Sequence, residues 1–410
     1  MAIPPAAPEA DGRAPRAHGW WRACLVALGL LAVNVAAVGA LLGFVHKPRR
    51  VLETDHYYYL AMAESDETRA ASAQTHTAPY CWRVLTPFLA HQLTRLGLSI
   101  HQAFYLLTNV FLYGFLLALF AYLRALGFVE REALVGMALA GLMPGTLRWY
   151  EYQYWMTDPL ALLLVCGSLL CIESGRERLL LPLAVLGVLT RESFLLVFVY
   201  YAVRWLQRSG LRAAILRTLP LAAAPAVVLL LLRVIITPGP GPRLWKVVRE
   251  IVAFRVSVLW ESQLYLATVG TFGVLVPLAL LAPALTWARV RRWPAAAAFV
   301  VATYLTLLFG NNTDRLLAYS APIVVAAGLL GLRVPAFSRN PARLATWTAA
   351  ALALQLLFWW TTPFHREAAS VYQPTNWPIV GALLGFWALG WYLLRRPLSL
   401  SATGSEREPG

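Results

Sequence analysis

The sequence predicts an all-α polytopic membrane protein, and three observations predict it. Of 410 residues, 59% are hydrophobic and 13% charged, against about a quarter charged in an ordinary soluble domain. Apolar runs recur from Cys24 to the turn before Arg395. Only helices cross lipid repeatedly with such runs, because each satisfies its own peptide groups; the alternating pattern of a barrel is absent. The net charge is +15, and the arginines stand at the ends of the apolar runs. That placement is the pattern of membrane topology, so the expected partner is a bilayer and no nucleic acid.

Residues 1–19 and 397–410 are rich in Pro, Ala, Gly, Ser and charge and read as disordered cytoplasmic tails. Between them, 20–396 reads as one transmembrane domain. The first apolar run, Cys24 to Val45, follows Arg13, Arg16 and Arg22. It exceeds the roughly 7–15 apolar residues of a signal peptide and has no small-residue cleavage site before Lys47, so it reads as a retained helix. About twelve spans follow from the apolar runs: 20–45, 102–125, 133–148, 156–172, 178–190, 193–207, 219–237, 265–288, 294–310, 314–332, 344–361 and 377–395.

The stretch Leu179 to Trp205, interrupted by Thr190-Arg191-Glu192, reads as one long helix or as two short ones. Charge decides. With two helices and a cytoplasmic N-terminus, one side collects Arg124, Arg131, Arg176, Arg178, Arg208, Arg212, Arg217, Arg289, Arg291, Arg292, Arg333, Arg339, Arg343, Arg395 and Arg396. The positive-inside rule then favours two helices and places both termini in the cytoplasm of a multi-pass inner (plasma) membrane protein. The opposite face receives 46–101, 148–156, the Arg191-Glu192 pair, 238–263, 311–315 and 362–376.

The first external loop, 46–101, concentrates acid in "ETDHYYYLAMAESDE". "DHYYYLAMA" reads as a short helix, with Asp55 either its N-cap or a reactive carboxylate. Glu64, Asp66 and Glu67 read as a solvated helix end. From Arg83, Val84, Leu85, Phe88, Leu89 and Leu93 recur at helical spacing, with His91, Gln92 and Arg95 between them. That suits an amphipathic helix lying in the interface. Arg83, beside Tyr80 and Trp82, is either an interfacial anchor or a phosphate ligand.

Further along, Glu151 and Asp158 are seven apart and would share a face of a continuous helix. Asp158 before Pro159 also fits an N-cap. Arg191-Glu192 are ionisable at membrane depth, which is costly and usually functional; an internal ion pair between two half-helices is the rival. Asp314-Arg315 open the tenth span. Trp149, Tyr150, Tyr152, Tyr154, Trp155, Trp359 and Trp360 read as an interfacial aromatic belt. Glu53, Asp55 and Glu151 are the carboxylates that would hold a divalent cation (Mg or Mn) if one takes part; no cofactor is assigned. Cys24, Cys81, Cys166 and Cys171 show neither a disulfide framework nor zinc spacing.

Five segments occur in order on the predicted external face: "DHYYYLA", "PYCWRVLTPFLA", "EYQYWMTDPLALLL", "LTRES" and "NNTDRLLAYSAP". Together they resemble the GT-C class of integral-membrane glycosyltransferases, specifically its smaller bacterial, mannosyltransferase-like members. Those members use sugars carried on polyprenyl phosphate. The resemblance implies a hexosyltransferase acting on a cell-envelope lipid, glycan or protein acceptor. It implies Asp55 as base, with Glu53 completing a Glu-x-Asp pair. Chemistry adds that arginine forks suit a departing phosphate, which marks Arg83, Arg191 and Arg315. Tyr58, Tyr80, Glu151, Asp158, Glu192 and Asp314 are the candidate substrate contacts. No Gly-rich nucleotide loop is present, which fits a lipid-linked donor. The competing reading is a polytopic transporter or lipid flippase; the absence of a repeat between the halves, and acids gathered at one face, weigh against it.

Overall fold

Glycine, proline and paired charges punctuate the apolar runs into helices. A computed structural model describes residues 19–42, 54–64, 80–143, 145–236, 266–281, 293–308, 313–334, 340–361 and 377–395, with a few single positions near 250 and 290. Both tails, Glu53 and 65–79 lie outside the described residues. Among those described, the structure is helical and carries no strand.

In chain order the helices are α1 Trp20–Leu42, α2 Thr54–Ala63, α3 Leu85–Arg95, α4 Ile100–Ala125, α5 Glu130–Gly141, α6 Leu147–Tyr152, α7 Asp158–Glu173 and α8 Leu180–Thr190. There follow α9 Leu196–Ile235, α10 Leu275–Leu281, α11 Pro294–Leu305, α12 Thr313–Leu317, α13 Ala321–Leu332, α14 Pro341–Thr361 and α15 Trp377–Arg395. Among the described residues, four stretches are long and apolar enough to cross a membrane: Trp20–Ala40, Ile100–Ala125, Glu192–Ile235 and Arg315–Leu332. They mark the chain as a helical, membrane-embedded protein.

Helix α4 starts at a capping box: Ser99 Oγ accepts from Gln102 N, and Gln102 Oε1 accepts from Ser99 N. It packs along α7, and α7 is covered in turn by α8 and α9. Helix α13 lies on α10, close enough that a Cβ on Gly331 would collide with the Leu278 carbonyl. Small residues serve this purpose where helices pack without a hydrophobic driving force.

Helix α9 is bent back on itself. Gly210 inside it has φ 81° and ψ 178°, a conformation only glycine adopts freely. A straight 40-residue helix would hold its ends about 60 Å apart. Instead, Glu192, just before it, pairs with Arg83, while Trp82 Nε1 donates to the carbonyl of Ile236, just after it, at 3.2 Å. The two arms, 196–209 and 211–235, therefore run antiparallel. Leu211, Leu216 and Leu219 on the second arm are more than 60% exposed, a surface suited to lipid rather than water.

The helices have two chemically distinct ends. At one, Arg22 pairs with Glu130, Arg333 with Glu132, Arg204 with Glu173 and Arg217 with Glu177. At the other stand Arg83, Asp158, Arg191, Glu192 and Arg315. Helices α8 and α9 are separate, as the charge argument required, with Arg191 between them in extended conformation (φ −165°, ψ 134°).

One expectation is corrected. Glu151 and Asp158 do not share a continuous helix, because α6 ends at Tyr152 and α7 begins at Asp158. Pro159 lacks an N–H and its ring would clash one turn back, so no helix runs through. In α3 the side that is fully buried carries Thr86, Ala90 and His91, while Phe88 is exposed. His91 Nδ1 sits 3.1 Å from the Ala63 carbonyl and 3.2 Å from that of Glu64, so it donates to the carbonyls that end α2.

Candidate functional site

Asp158 is wholly buried at the first position of α7. Its side chain does not cap the helix. Oδ2 accepts from Arg315 Nη2 at 2.6 Å, and Oδ1 accepts from the Tyr319 hydroxyl at 2.8 Å and from Arg191 Nη1. The Arg191 guanidinium also stands 5.8 Å from the Tyr319 ring centroid. One carboxylate thus gathers α7, the α8–α9 hinge, α12 and the turn Ala318–Ser320.

The hinge is built for this. α8 stops at Thr190, and the extended Arg191 lets its neighbour serve a different partner. Arg191 and Glu192 do not pair with each other, which corrects the rival reading of a bridge between half-helices. Glu192 instead meets Arg83 as a two-pronged fork, Nη2 to Oε1 at 2.5 Å and Nε to Oε2 at 3.1 Å, the strong geometry for a carboxylate. Phe194 packs directly on Gly187, where a Cβ would collide with its ring.

Arg83 also donates from Nη1 to the Tyr59 hydroxyl at 3.1 Å. Tyr59 is wholly buried, so α2 is fastened at its centre by Arg83 and at its end by His91. Asp55 stands one turn before Tyr59, inside the helix rather than ahead of it, so the N-cap reading of Asp55 does not hold. Tyr58 lies in the same helix and Tyr80 in the turn Tyr80–Trp82. The side chains of Asp55, Tyr58, Tyr80 and Asp314, and the whole of Glu53, lie outside the described residues.

Among the described residues, the network joins three guanidiniums to two carboxylates. Two buried hydroxyls without hydrogen-bond partners, Tyr150 and Thr157, belong to the same place: Tyr150 interacts electrostatically with Asp158 and Tyr319, and Thr157 precedes Asp158.

Glu151 is the exception. It is wholly buried on α6 against α4, where Asn109 Nδ2 reaches Oε2 at 3.5 Å and the Tyr105 hydroxyl stands beside the carboxyl. Oε1 has no partner. Burial pushes this carboxyl up to about 7. Among the described residues, no three of His, Cys, Asp and Glu are gathered to hold a metal ion; of the Glu53, Asp55 and Glu151 trio, only the Glu151 side chain is among them.

The aromatic belt is corrected in most of its members. Tyr150, Tyr154 and Trp155 are wholly buried, and Tyr152 and Trp359 nearly so; Trp360 alone is strongly exposed. These rings are covered by protein rather than facing headgroups. Of the predicted residues, Arg83, Asp158, Arg191, Glu192 and Arg315 come together, and Glu151 lies apart with α4. Sequence reasoning missed Tyr59 and Tyr319 as network members and Tyr150 as more than belt. "DHYYYLA" and "DRLLAYSAP" do hold Tyr59 and Tyr319 at helical spacings from Asp55 and Arg315.

No family model, curated protein or solved structure matches the chain. The functional reading therefore rests on this geometry and on the residues themselves.

Proposed function

We propose that the chain is a GT-C-type membrane glycosyltransferase that moves a sugar from polyprenyl phosphate to an acceptor hydroxyl at the outer face, inverting the anomeric carbon. The observation that carries the reading is the join made by Arg83. It ties α2, the helix of Asp55, to the hinge of the buried Asp158–Arg191–Arg315 network. A lipid phosphate needs positive charge as it departs, and a preorganised set of guanidiniums supplies it. The N-terminus of α7 adds the positive end of its dipole, and the Tyr150 and Thr157 hydroxyls add donors.

In this mechanism the acceptor oxygen attacks the anomeric carbon and the bond to phosphate oxygen breaks, its electron pair leaving with the polyprenyl phosphate. Asp55 takes the acceptor proton as general base, with Glu53 beside it in sequence. Asp158 touches no substrate; it positions Arg191 and Arg315. Tyr58, Tyr80 and Asp314 border the acceptor and donor. The reading carries twelve crossings, both termini cytoplasmic and the network outside. The network lies at helix ends, where an interfacial enzyme needs it, rather than at mid-helix, where a transporter binds its substrate.

The test uses purified protein in lipid with radiolabelled polyprenyl-phosphate sugars, native against Asp55→Asn. Native protein transfers the sugar or slowly hydrolyses the donor, and a folded Asp55→Asn does neither. If no donor is bound or consumed across a broad panel, the enzyme reading fails. If Asp55→Asn keeps full activity, the base is elsewhere.

A further inference from the structure

Asp158, Glu173 and Glu192 are each wholly or partly buried, and each meets a guanidinium. Glu151 is at least as buried as any of them, and it forms no ion pair in a chain of net charge +15. Its Oε2 has a long contact with Asn109 and its Oε1 has none. An ionised carboxylate so placed is strongly disfavoured, and taking up a proton relieves it.

Ring contacts lead from the carboxyl's neighbour toward the loop-side end. The Tyr105 hydroxyl stands beside the carboxyl, and the Tyr105 ring meets that of Tyr154 edge-on with centroids 5.6 Å apart. The Tyr154 hydroxyl lies 2.8 Å from His101 Nδ1. His101, in the first turn of α4, is partly exposed at the loop-side end.

The neighbouring elements present no fixed charge to Glu151. From α4 it faces Tyr105 and Asn109. On α6 itself, Arg148 is turned to the Trp359 carbonyl, and Tyr150 belongs to the Asp158 side. Helix α1, which packs on α6, offers Asn34, already bonded to Gly141 and Trp359.

We propose that Glu151 is a reversible proton-binding site of the folded protein. The proposal does not rest on the glycosyltransferase reading. A carboxyl pushed up to about 7 by burial changes charge near neutral pH. The sign follows from linkage: the folded state binds this proton more tightly than the unfolded chain does. The stability it confers is complete below the ordinary carboxyl range and is lost as pH rises through about 7.

The experiment is infrared difference spectroscopy on the full chain in lipid, stepped across neutral pH in light and heavy water. Native protein shows a buried carboxylic-acid carbonyl band on the acid side, replaced by carboxylate bands with a midpoint about 7. Glu151→Gln lacks the band. Tyr105→Phe moves the midpoint upward, because the Tyr105 hydrogen bond favours the charged form. A band that survives Glu151→Gln, or a carboxyl that never titrates, overturns the site. Should Glu151→Gln fail to fold, the Tyr105→Phe shift decides alone, and an unmoved midpoint overturns it.

Discussion

Two guanidiniums and a phenol converge on the carboxylate of Asp158, and nothing of it reaches solvent. Taking its charge away removes the buried carboxylate that Arg191 and Arg315 both meet. Breaking a buried pair from one side costs about 3–5 kcal/mol, so Asp158→Asn should lower the midpoint of chemical or thermal unfolding in mild detergent by a matching amount. A variant as stable as native would mean that the arginines find other anions. The sequence showed that Asp158, Arg191 and Arg315 were unusual, since ionisable groups in apolar surroundings announce themselves. It did not show that they were partners. The arginines stand 33 and 157 positions away from Asp158 and Tyr319 stands 161 away, and no local periodicity reports such contacts. For the same reason, the tyrosines and tryptophans of 149–155 looked like a lipid-facing belt: composition places aromatic residues near an interface, but only packing says which side of them is covered.

Element boundaries were legible wherever a backbone constraint is written into one or two residues. Pro159 ends any helix arriving from Glu151, the Arg191-Glu192 pair parts α8 from α9, and Gly210 reverses α9 with its positive φ. The facing of α3 was less legible, because its apolar residues have both lipid and protein to meet. Gly187 was silent in the sequence. Its lack of a Cβ makes room for Phe194, which sets the course of the chain just after Arg191. Gly187→Ala should therefore overpack the hinge at a cost of about 1–3 kcal/mol and draw Arg191 away from Asp158. Thermal unfolding reads the first effect and donor turnover the second. A companion Phe194→Leu should recover much of both, since the two side chains compete for one space. A double variant no better than Gly187→Ala alone would place the role of Gly187 elsewhere than in this contact.

At the scale of the molecule, the arrangement of charge fixes the direction of the chain. Starting at Arg176, beside Glu177, α8 runs to the network end at Arg191. The first arm of α9 returns to Gly210, and Arg217 just beyond it lies 3.8 Å from Glu177. The second arm runs back to Ile236, against Trp82. Arg176 and Arg212 must then lie on one side of any membrane, and Leu96, which is 80% exposed in the turn after α3, on the other. The weak point is α8, whose 11 residues span about 16 Å against a hydrocarbon core of about 30 Å. Cover from α7 and α9 offsets that shortfall, since non-helical backbone survives at membrane depth where protein shields it. Single cysteines at Leu96, Arg176 and Arg212, in a chain whose four natural cysteines are replaced, test the arrangement with an impermeant thiol reagent on intact cells. Leu96→Cys should label from outside, and Arg176→Cys and Arg212→Cys only after permeabilisation, because arginine-rich ends stay inside. If Arg176→Cys and Arg212→Cys label from opposite sides, α8 and the first arm of α9 make a single crossing and the twelve-span reading fails. If all three sites are reversed together, the fold stands, and the network faces the cytoplasm, where a lipid-phosphate sugar used at the outer face could not reach it.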